Sequence, residues 1–325
     1  MTRRQPTYEE RLAGGIVGLL VGDALGVPYE FHKAADIPPA ALIDFTPPPQ
    51  FPRSHQAVAP GTWSDDGAHA LCLLASLLER GSLALHDFGA RLLAWYDEGY
   101  MAVDGVVFDV GVSTGTAIRA LRSGTPAAQA GPCDQYDNGN GSLMRALPLA
   151  LWHRGSDASL VRDAHQQSLP THGHMRSQVC CALYCLWARR ELSGSGDAWG
   201  DAVAALRAIY ASMPEALEEL EWAVRPDDPP GGSGSGYVVD SLRSARLVQA
   251  AGTYEEVVRA AVSLGNDTDT TACIAGGIAG VRVGIHGIPC RWREQLRGSN
   301  LYGPLVDALL AWCTHPAATM GQPLP

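Results

Sequence analysis

The amino-acid sequence predicts an all-α protein on three observations. Apolar residues recur at helical spacing along most of the chain, Gly, Pro and Ser cluster in the segments between them, and sustained strand alternation with hairpin turns is missing. The nearest strand candidate, residues 106–110, is short and isolated. In chain order, the spacing predicts helices over residues 8–25, 68–80, 85–96, 112–122, 142–152, 177–192, 202–212, 214–224, 238–250, 254–263 and 270–286.

The first predicted helix carries an apolar run at residues 12–20. Acidic Glu9 and Glu10 precede this run and Asp23 interrupts the apolar residues after it, so we interpret it as a core helix rather than a signal peptide. Asp23 is expected to end and orient the helix. No apolar stretch is expected to reach the length needed to span a bilayer.

Composition and charge narrow the class of protein. With 46% hydrophobic and 18% charged residues, the chain is typical of globular proteins, and a net charge of −10 argues against a nucleic-acid-binding surface. Neither a nucleic acid nor a membrane is expected as a partner. The eight cysteines include no CxxC pair, which argues against structural zinc, and Cys181 and Cys185 are interpreted as core residues. These features predict a cytoplasmic protein.

The most informative segment, residues 264–271, holds two carboxylates and several hydroxyls directly before a small, apolar predicted helix. Oxygen ligands at such a position suit a hard divalent cation such as Mg²⁺ or Mn²⁺. The alternative is that Asp269 or Thr270 caps the helix.

A second acidic segment, residues 61–67, favours the metal. Ser64, Asp65 and Asp66 again precede an apolar helix. Adjacent aspartates repel each other, so burying both is costly unless a cation or hydrogen-bond donors compensate. The two segments are interpreted as halves of one metal site.

Four blocks, in this order, resemble the ADP-ribosylglycohydrolase family. They are residues 14–26 with Glu30, residues 64–66, residues 138–145 with Pro148, and residues 265–271. Thr171 with His172, and residues 235–240, also have family counterparts. The resemblance covers about residues 8–300. It implies a compact multi-helix domain, here taken as one domain over residues 1–325 with loose ends at 1–6 and 315–325.

The resemblance also implies two divalent cations, Mg²⁺ or Mn²⁺, held by residues of both acidic segments. The implied ligands are Ser64, Asp65, Asp66, Asp267, Asp269 and Thr270. Ser64 stands where Thr is usual, and its hydroxyl can still coordinate. Gly67 stands where Thr is common, and its missing side chain is expected to loosen the entry of the helix.

Two further carboxylates, Glu30 and Asp109, are implied as the catalytic acid and base. The alternative for Glu30 is an exposed loop carboxylate. The alternative for Asp109 is an N-cap of the helix predicted from residue 112.

The implied substrate contacts begin with a glycine-rich loop made of Asn138, Gly139, Asn140, Gly141 and Ser142. Its backbone N–H groups would face a diphosphate, the alternative being an ordinary turn with a Ser cap. Met144 contacts substrate or packs, and Arg145 is expected to brace the loop through carboxylates. A hard cation disfavours imidazole, so His172 is expected to hydrogen-bond near the substrate or to be structural. Tyr237 stacks on adenine or packs at a helix start.

Three loops are predicted. Residues 38–60 carry seven prolines, so they cannot form one helix and are expected to wrap the surface. Residues 192–196 form a flexible connection. Residues 226–236 resemble a domain linker, but we place them at the rim of the site because the acidic segments on either side must meet.

The function implied by the resemblance is metal-dependent hydrolysis that releases ADP-ribose from an ADP-ribosylated protein. An arginine linkage is the leading expectation. Serine, O-acetyl and nucleobase linkages remain alternatives, as do a non-catalytic ADP-ribose-binding or structural relative and a dimetal phosphoesterase.

Overall fold

The computed structural model describes residues 4–314. Of the predicted loose ends at residues 1–6 and 315–325, all but residues 4–6 lie outside the described residues. Fourteen α-helices follow one another in the described part. They are α1 Tyr8–Gly26, α2 Asp65–Arg80, α3 Leu85–Glu98, α4 Val112–Arg122, α5 Leu147–Trp152, α6 Asp157–Ser168, α7 Met175–Ser193, α8 Ala198–Tyr210, α9 Pro214–Glu218, α10 Val238–Val248, α11 Tyr254–Val262, α12 Thr268–Val283, α13 Cys290–Gln295 and α14 Ser299–Thr314.

The predicted all-α class is confirmed. Residues 4–314 contain no strand, and their only β-pairing is two isolated bridges, Lys33 with Gly265 and Gly139 with Tyr237. Residues 106–110 are irregular. A π-helix, Glu219–Val224, continues α9 and completes the helix predicted over 214–224.

The packing of α1 against α12 is the most extensive contact between two elements of the described chain. The α1 face in this contact carries glycines four residues apart, at positions 14, 18, 22 and 26. A Cβ atom on Gly22 would lie 2.1 Å from the carbonyl oxygen of Ala272, and one on Gly18 would lie 2.6 Å from that of Gly276. The two backbones therefore approach at a distance that a side chain would prevent.

This packing places the acidic start of α12 beside the segment that follows α1. The Thr268 hydroxyl donates to the carbonyl of Gly26 at 2.8 Å. Beyond it, the Phe31 N–H donates to Asn266 O at 2.7 Å, and the Asn266 N–H donates to His32 O at 2.6 Å. Glu30 is thereby fixed opposite the second acidic segment.

A carboxylate of α1 fixes the first acidic segment as well. Asp23 is buried and accepts from the N–H groups of Ser64 at 2.9 Å and Gly67 at 2.7 Å. It therefore caps the start of α2. The expectation that Asp23 ends α1 is wrong, because α1 continues to Gly26.

The helix predicted over residues 142–152 begins later, at Leu147. Pro148 lies in its first turn, where a residue without an N–H is tolerated. An earlier start would place this proline inside the helix, where its ring clashes with the carbonyl of residue 144. Residues 141–145 form turns instead.

Three helices, α6, α13 and α14, have no counterpart among the predicted ones. α6 buries polar side chains such as His165, Gln167 and Ser168, so its apolar spacing is weak. α13 has only six residues, and α14 contains Pro304.

The first helix is a core element, as predicted. One window, Tyr8–Tyr29, is long and apolar enough to cross a membrane, which corrects the expectation that no stretch reaches that length. However, 94% of the 18-residue apolar window within it is buried inside the protein. Cys181 and Cys185 are likewise buried in α7, as expected for core residues.

The glycine packing gives a stability prediction. Gly22→Ala should lower the free energy of unfolding by about 3 kcal/mol, because the added methyl group meets a backbone carbonyl that cannot rotate away. Gly303→Ala is the control, since that helical glycine has no atom within 4 Å of its Cβ position. The control should be neutral or slightly stabilising. Urea unfolding measures both, and equal effects would contradict the role assigned to the α1–α12 contact.

Candidate active site

An acidic cleft of about 350 Å³ lies where the starts of α2, α4 and α12 meet the glycine-rich loop. Its volume is within the range of ligand-binding pockets. The residues that line it are Glu30, Asp65, Asp109, Gly111, Val112, Ser113, Thr114, Tyr136, Gly139, Asn140, Gly141, Met144, His172, Gly236, Asp267 and Thr270. The cleft therefore contains parts of every block that the sequence singled out.

The two acidic segments meet at this cleft. The Thr270 hydroxyl donates to Asp66 Oδ2 at 3.3 Å, which joins the start of α12 to the start of α2. Carboxylate oxygens of Glu30, Asp267 and Asp269 all lie within 4.8 Å of one another. The halves predicted from the sequence thus form one cluster, and Glu30 is part of it.

The cluster has the features that a divalent cation would satisfy. Asp66 Oδ1 and Asp269 Oδ2 are buried without a hydrogen-bond partner. Burial, followed by repulsion from neighbouring carboxylates, raises the pKa values of Asp65, Asp66 and Asp269 well above the usual range for aspartate. Buried oxygens that lack partners and repel each other are the donor set that Mg²⁺ and Mn²⁺ bind, so the residues present fit such ions.

Ser64 is the N-cap of α2. Its hydroxyl accepts from the Asp66 N–H at 3.3 Å and donates to Asp66 Oδ2 at 3.1 Å. Gly67 does not loosen the helix entry, which corrects the expectation. A Cβ at Gly67 would lie 2.7 Å from the Trp63 ring and 2.8 Å from Leu20, so close packing fills this position.

Glu30 is buried, which excludes the exposed-loop alternative. Its Oε2 lies 2.6 Å from His55 Nε2. One carboxylate oxygen of Glu30, one of Asp109 and one ring nitrogen of His55 all lie within 4.8 Å of one another. Burial, followed by repulsion from Asp109 and Asp267, raises the pKa of Glu30 to about 10. Burial lowers the pKa of His55, so this imidazole is neutral near pH 7.

Asp109 is not a helix cap. The N-cap of α4 is Gly111, and no side chain caps that helix. Asp109 instead has a positive φ of 56°, uncommon for a residue other than glycine, and its carboxyl lines the cleft. Burial, followed by repulsion from Asp267, raises its pKa to about 6.

The glycine-rich loop contributes Gly139, Asn140 and Gly141 to the cleft. The Asn140 amide donates to Asp267 Oδ2 at 2.8 Å and to Ser241 Oγ at 3.0 Å, so it ties the loop to the second acidic segment.

Asn138 and Ser142 do not line the cleft, contrary to expectation. Asn138 accepts from Ser177 at 3.1 Å, and the Ser142 hydroxyl accepts from Ser168 at 2.9 Å. Both side chains are buried behind the loop and support it.

Arg145 braces the loop, but through carbonyl oxygens rather than carboxylates. Its buried guanidinium donates to Gly141 O at 3.2 Å and to Gln167 O at 2.8 Å. The neighbouring Met144 lines the cleft.

The His172 ring lines the cleft and contacts the loop. Its Nδ1 lies 2.8 Å from the Thr171 hydroxyl, and burial lowers its pKa to about 3, so it is neutral. A Cβ at Gly141 would lie 2.8 Å from the ring, which explains a glycine there.

Tyr237 lies outside the lining of the acidic cleft. It is the N-cap residue of α10, and its hydroxyl accepts from Arg176 at 3.0 Å on the wall of a neighbouring cavity. The residue before it, Gly236, does line the cleft, and Gly234 O accepts from the Asp267 N–H at 2.9 Å. The loop over residues 226–236 is therefore at the rim of the site, as predicted.

Sequence reasoning missed several residues of this region, among them His55, Thr114 and Tyr136. Thr114 comes shortly after Asp109 in a run of glycines and hydroxyl residues, and that run was the available signal. His55 lies in the proline-rich loop and Tyr136 precedes the glycine-rich loop, and neither stands in a recognisable motif.

The geometry agrees with comparisons to known proteins. The model of the family described as ADP-ribosylglycohydrolase matches residues 4–318. The chain belongs to the ADP-ribosylglycohydrolase family. The prediction of an enzyme is thereby confirmed, because the family consists of hydrolases.

Two bacterial relatives match this ADP-ribosylglycohydrolase over most of its length. ADP-ribosylarginine hydrolase Tri1 from Pseudomonas putida (strain GB-1) is 29% identical over 304 residues, covering 92% of this chain and 78% of that protein. ADP-ribosyl-(dinitrogen reductase) glycohydrolase from Rhodospirillum rubrum is 28% identical over 323 residues, covering 94% and 97%. A solved structure, an ADP-ribosylglycohydrolase-related protein complex, has a TM-score of 0.73 at 29% identity and covers 94% of this chain and 97% of that one.

The raised pKa of Glu30 predicts how stability depends on pH without metal. Between pH 6.5 and 8, folded Glu30 keeps a proton that the unfolded chain has lost, since its pKa is about 10 when folded. The folded state then binds more protons, so the free energy of unfolding falls as pH rises, by about 2 kcal/mol for one such group over this range.

Urea unfolding in EDTA at pH 6.5 and 8 measures this fall. Glu30→Gln should make the fall smaller, because it removes one of several carboxyls whose pKa values are raised. Asp36→Asn, at an exposed carboxylate, should leave the fall unchanged. A wild-type protein equally stable at both pH values would contradict the assignment.

Proposed function

We propose that this ADP-ribosylglycohydrolase is a metal-dependent hydrolase that releases ADP-ribose from ADP-ribosylated arginine on proteins. The observation that carries the proposal is the meeting of both acidic segments, Glu30, Asp109 and the glycine-rich loop at one cleft. The names of the two bacterial relatives support it, since one is an ADP-ribosylarginine hydrolase.

Two divalent cations, Mg²⁺ or Mn²⁺, would be held by the oxygen-rich starts of α2 and α12. The residues that would hold them are Ser64, Asp65, Asp66, Asp267, Asp269 and Thr270, with Glu30 close enough to share. Such ions, when bound, orient ribose hydroxyls and lower the pKa of water. The partnerless oxygens of Asp66 and Asp269 support this assignment most directly.

The glycine-rich loop would hold the diphosphate. Gly139 and Gly141 leave the backbone accessible along the cleft wall, and Asn140 is held by Asp267. His172 is neutral and beside this wall, where its ring can share a hydrogen bond with the substrate.

Glu30 and Asp109 are the residues assigned to proton transfer. Cleavage of the C1″–N bond passes through an oxocarbenium-like state, which requires a proton for the leaving nitrogen and a base for water. Without metal, the pKa of Glu30 is raised to about 10 and that of Asp109 only to about 6. This difference supports Glu30 as the acid and Asp109 as the base.

The activity test is release of ADP-ribose from arginine-ADP-ribosylated protein, with Mg²⁺ or Mn²⁺ and with EDTA. Wild-type protein should release ADP-ribose only with metal, and Asp267→Ala/Asp269→Ala should reduce the rate at least a hundredfold. Asp36→Asn serves as the matched surface control and should keep full activity.

Other outcomes of this assay would change the assigned substrate or reaction. Release only from serine, O-acetyl or nucleobase linkages would replace arginine as the substrate, and AMP as product would indicate a phosphoesterase. No release from any linkage, with the fold intact, would leave a non-catalytic protein and overturn the proposal.

Metal binding is measurable apart from activity. Saturating Mn²⁺, about 100-fold above its Kd, should stabilise the wild-type fold by about 2.7 kcal/mol for each ion bound. Asp66→Asn/Asp269→Asn should lose this stabilisation and the calorimetric binding signal, because it removes the two carboxylates with partnerless oxygens. An unchanged Mn²⁺ titration in this variant would place the ions elsewhere.

A further inference from the structure

Three aromatic rings lie next to Glu30 and Asp109, which line the acidic cleft, and we call them the aromatic row: Phe31, His55 and Phe108. The ring centroid of His55 lies 5.6 Å from that of Phe31 and 5.0 Å from that of Phe108. The central ring is fixed by the His55 Nε2 contact with Glu30 Oε2 at 2.6 Å. The row comes from three separate segments, so it exists only in the folded chain.

The row is not a buried packing cluster. Phe31 is 70% exposed, which is unusual for a ring whose only role is to fill the interior. The backbone of Phe31 is well fixed, since its N–H donates to Asn266 O at 2.7 Å. A rigid backbone thus holds an apolar ring in solvent at the edge of the site.

Backbone strain concentrates at the same place. Of the seven non-glycine residues with positive φ in residues 4–314, four belong to this edge or its support: Phe31 (66°), His55 (48°), Asp109 (56°) and Asn266 (62°). Such conformations are unfavourable for ordinary side chains and tend to persist at binding sites. Here these backbone conformations set the orientation of two of the three rings, Phe31 and His55, and of the Asp109 carboxylate.

Two acidic side chains stand at this edge. Glu30 and Asp109 line the cleft next to the row, and among the described residues neither forms an ion pair with Lys or Arg. Aromatic faces beside carboxylates favour a planar cation, which gains attraction from the ring quadrupoles and from the acidic groups together. A neutral hydroxyl leaving group would gain neither.

We propose that the aromatic row, with Glu30 and Asp109, is the leaving-group subsite and takes the guanidinium of the modified arginine. This inference rests on the proposed function and adds to it the residues that select the linkage. Phe31 and Phe108 supply the stacking faces, and His55 holds Glu30 against them. Specificity for a guanidinium over a neutral group then originates at this edge of the cleft.

The test measures ligand binding, so that it does not depend on turnover. Agmatine, which carries a guanidinium, and N-butylurea, a neutral planar analogue, are titrated into wild-type protein in Mg²⁺ with ADP-ribose present. Agmatine should bind at least tenfold more tightly than N-butylurea. Phe31→Leu and Phe108→Leu keep apolar volume but lose the ring face, so each should weaken agmatine binding several-fold and leave the Kd of ADP-ribose unchanged.

Phe31→Tyr should restore agmatine binding, because it keeps the ring, whereas loss through misfolding would not recover. Tyr96→Leu, at a half-exposed ring on α3, is the control and should change nothing. In kinetics with arginine-linked substrate, the Leu variants should raise KM more than they lower kcat.

Equal binding of agmatine and N-butylurea, or parallel weakening of ADP-ribose in the Leu variants, would overturn the subsite. These outcomes are separable from failure of the proposed function. A protein that cleaves arginine linkages but shows no selectivity for agmatine refutes only the subsite. A protein that binds agmatine at the row but cleaves no arginine linkage refutes only the activity.

Discussion

The close contact between α1 and α12 is the constraint on which the site depends. Glycines on α1 let its backbone touch the backbone of α12, and this fixes where both helices point. The end of α1 then lies beside the start of α12, with Thr268 bonded to Gly26. One residue of α1, Asp23, also caps α2. Both acidic segments are therefore positioned from a single helix, which explains how Asp66 and Thr270 come into contact although they are 204 positions apart in sequence.

The buried carboxylates of the site destabilise the folded protein. Carboxylates at helix starts gain from the helix dipole and from free N–H groups, but burial and mutual repulsion raise their pKa values. The apolar core around α1, α7 and α12 offsets this repulsion, since most residues of these helices are buried. Packing of these helices therefore holds the acidic cluster together. Without metal, the carboxylates repel each other, and they stay close because the helices that carry them cannot separate.

Much of the fold and the location of the site could be predicted from the sequence, because both rest on local patterns. Helical spacing, glycine runs and paired aspartates before apolar helices can be recognised in the amino-acid sequence alone. The details that failed depend on three-dimensional contacts. Ser142 turns away from the cleft because its hydroxyl bonds Ser168, and Gly67 is required by the Trp63 ring. His55 reaches Glu30 only because the proline-rich loop folds back onto the segment that follows α1, and no spacing in the sequence encodes that contact.

In the proposed function, recognition of the leaving group and proton transfer use the same few side chains next to the cleft. Glu30 contacts His55 of the aromatic row, and it also belongs to the carboxylate group with Asp267 and Asp269. A leaving group held against the rings would therefore lie next to Glu30, the carboxyl proposed as the acid. The same geometry makes the pKa of Glu30 depend on the leaving group. A cationic leaving group bound against the rings would stabilise the ionised form of Glu30 and so lower its pKa. Substrate binding and the acidity of the catalytic carboxyl are then coupled through one contact, which makes the row part of the chemistry as well as of the selection.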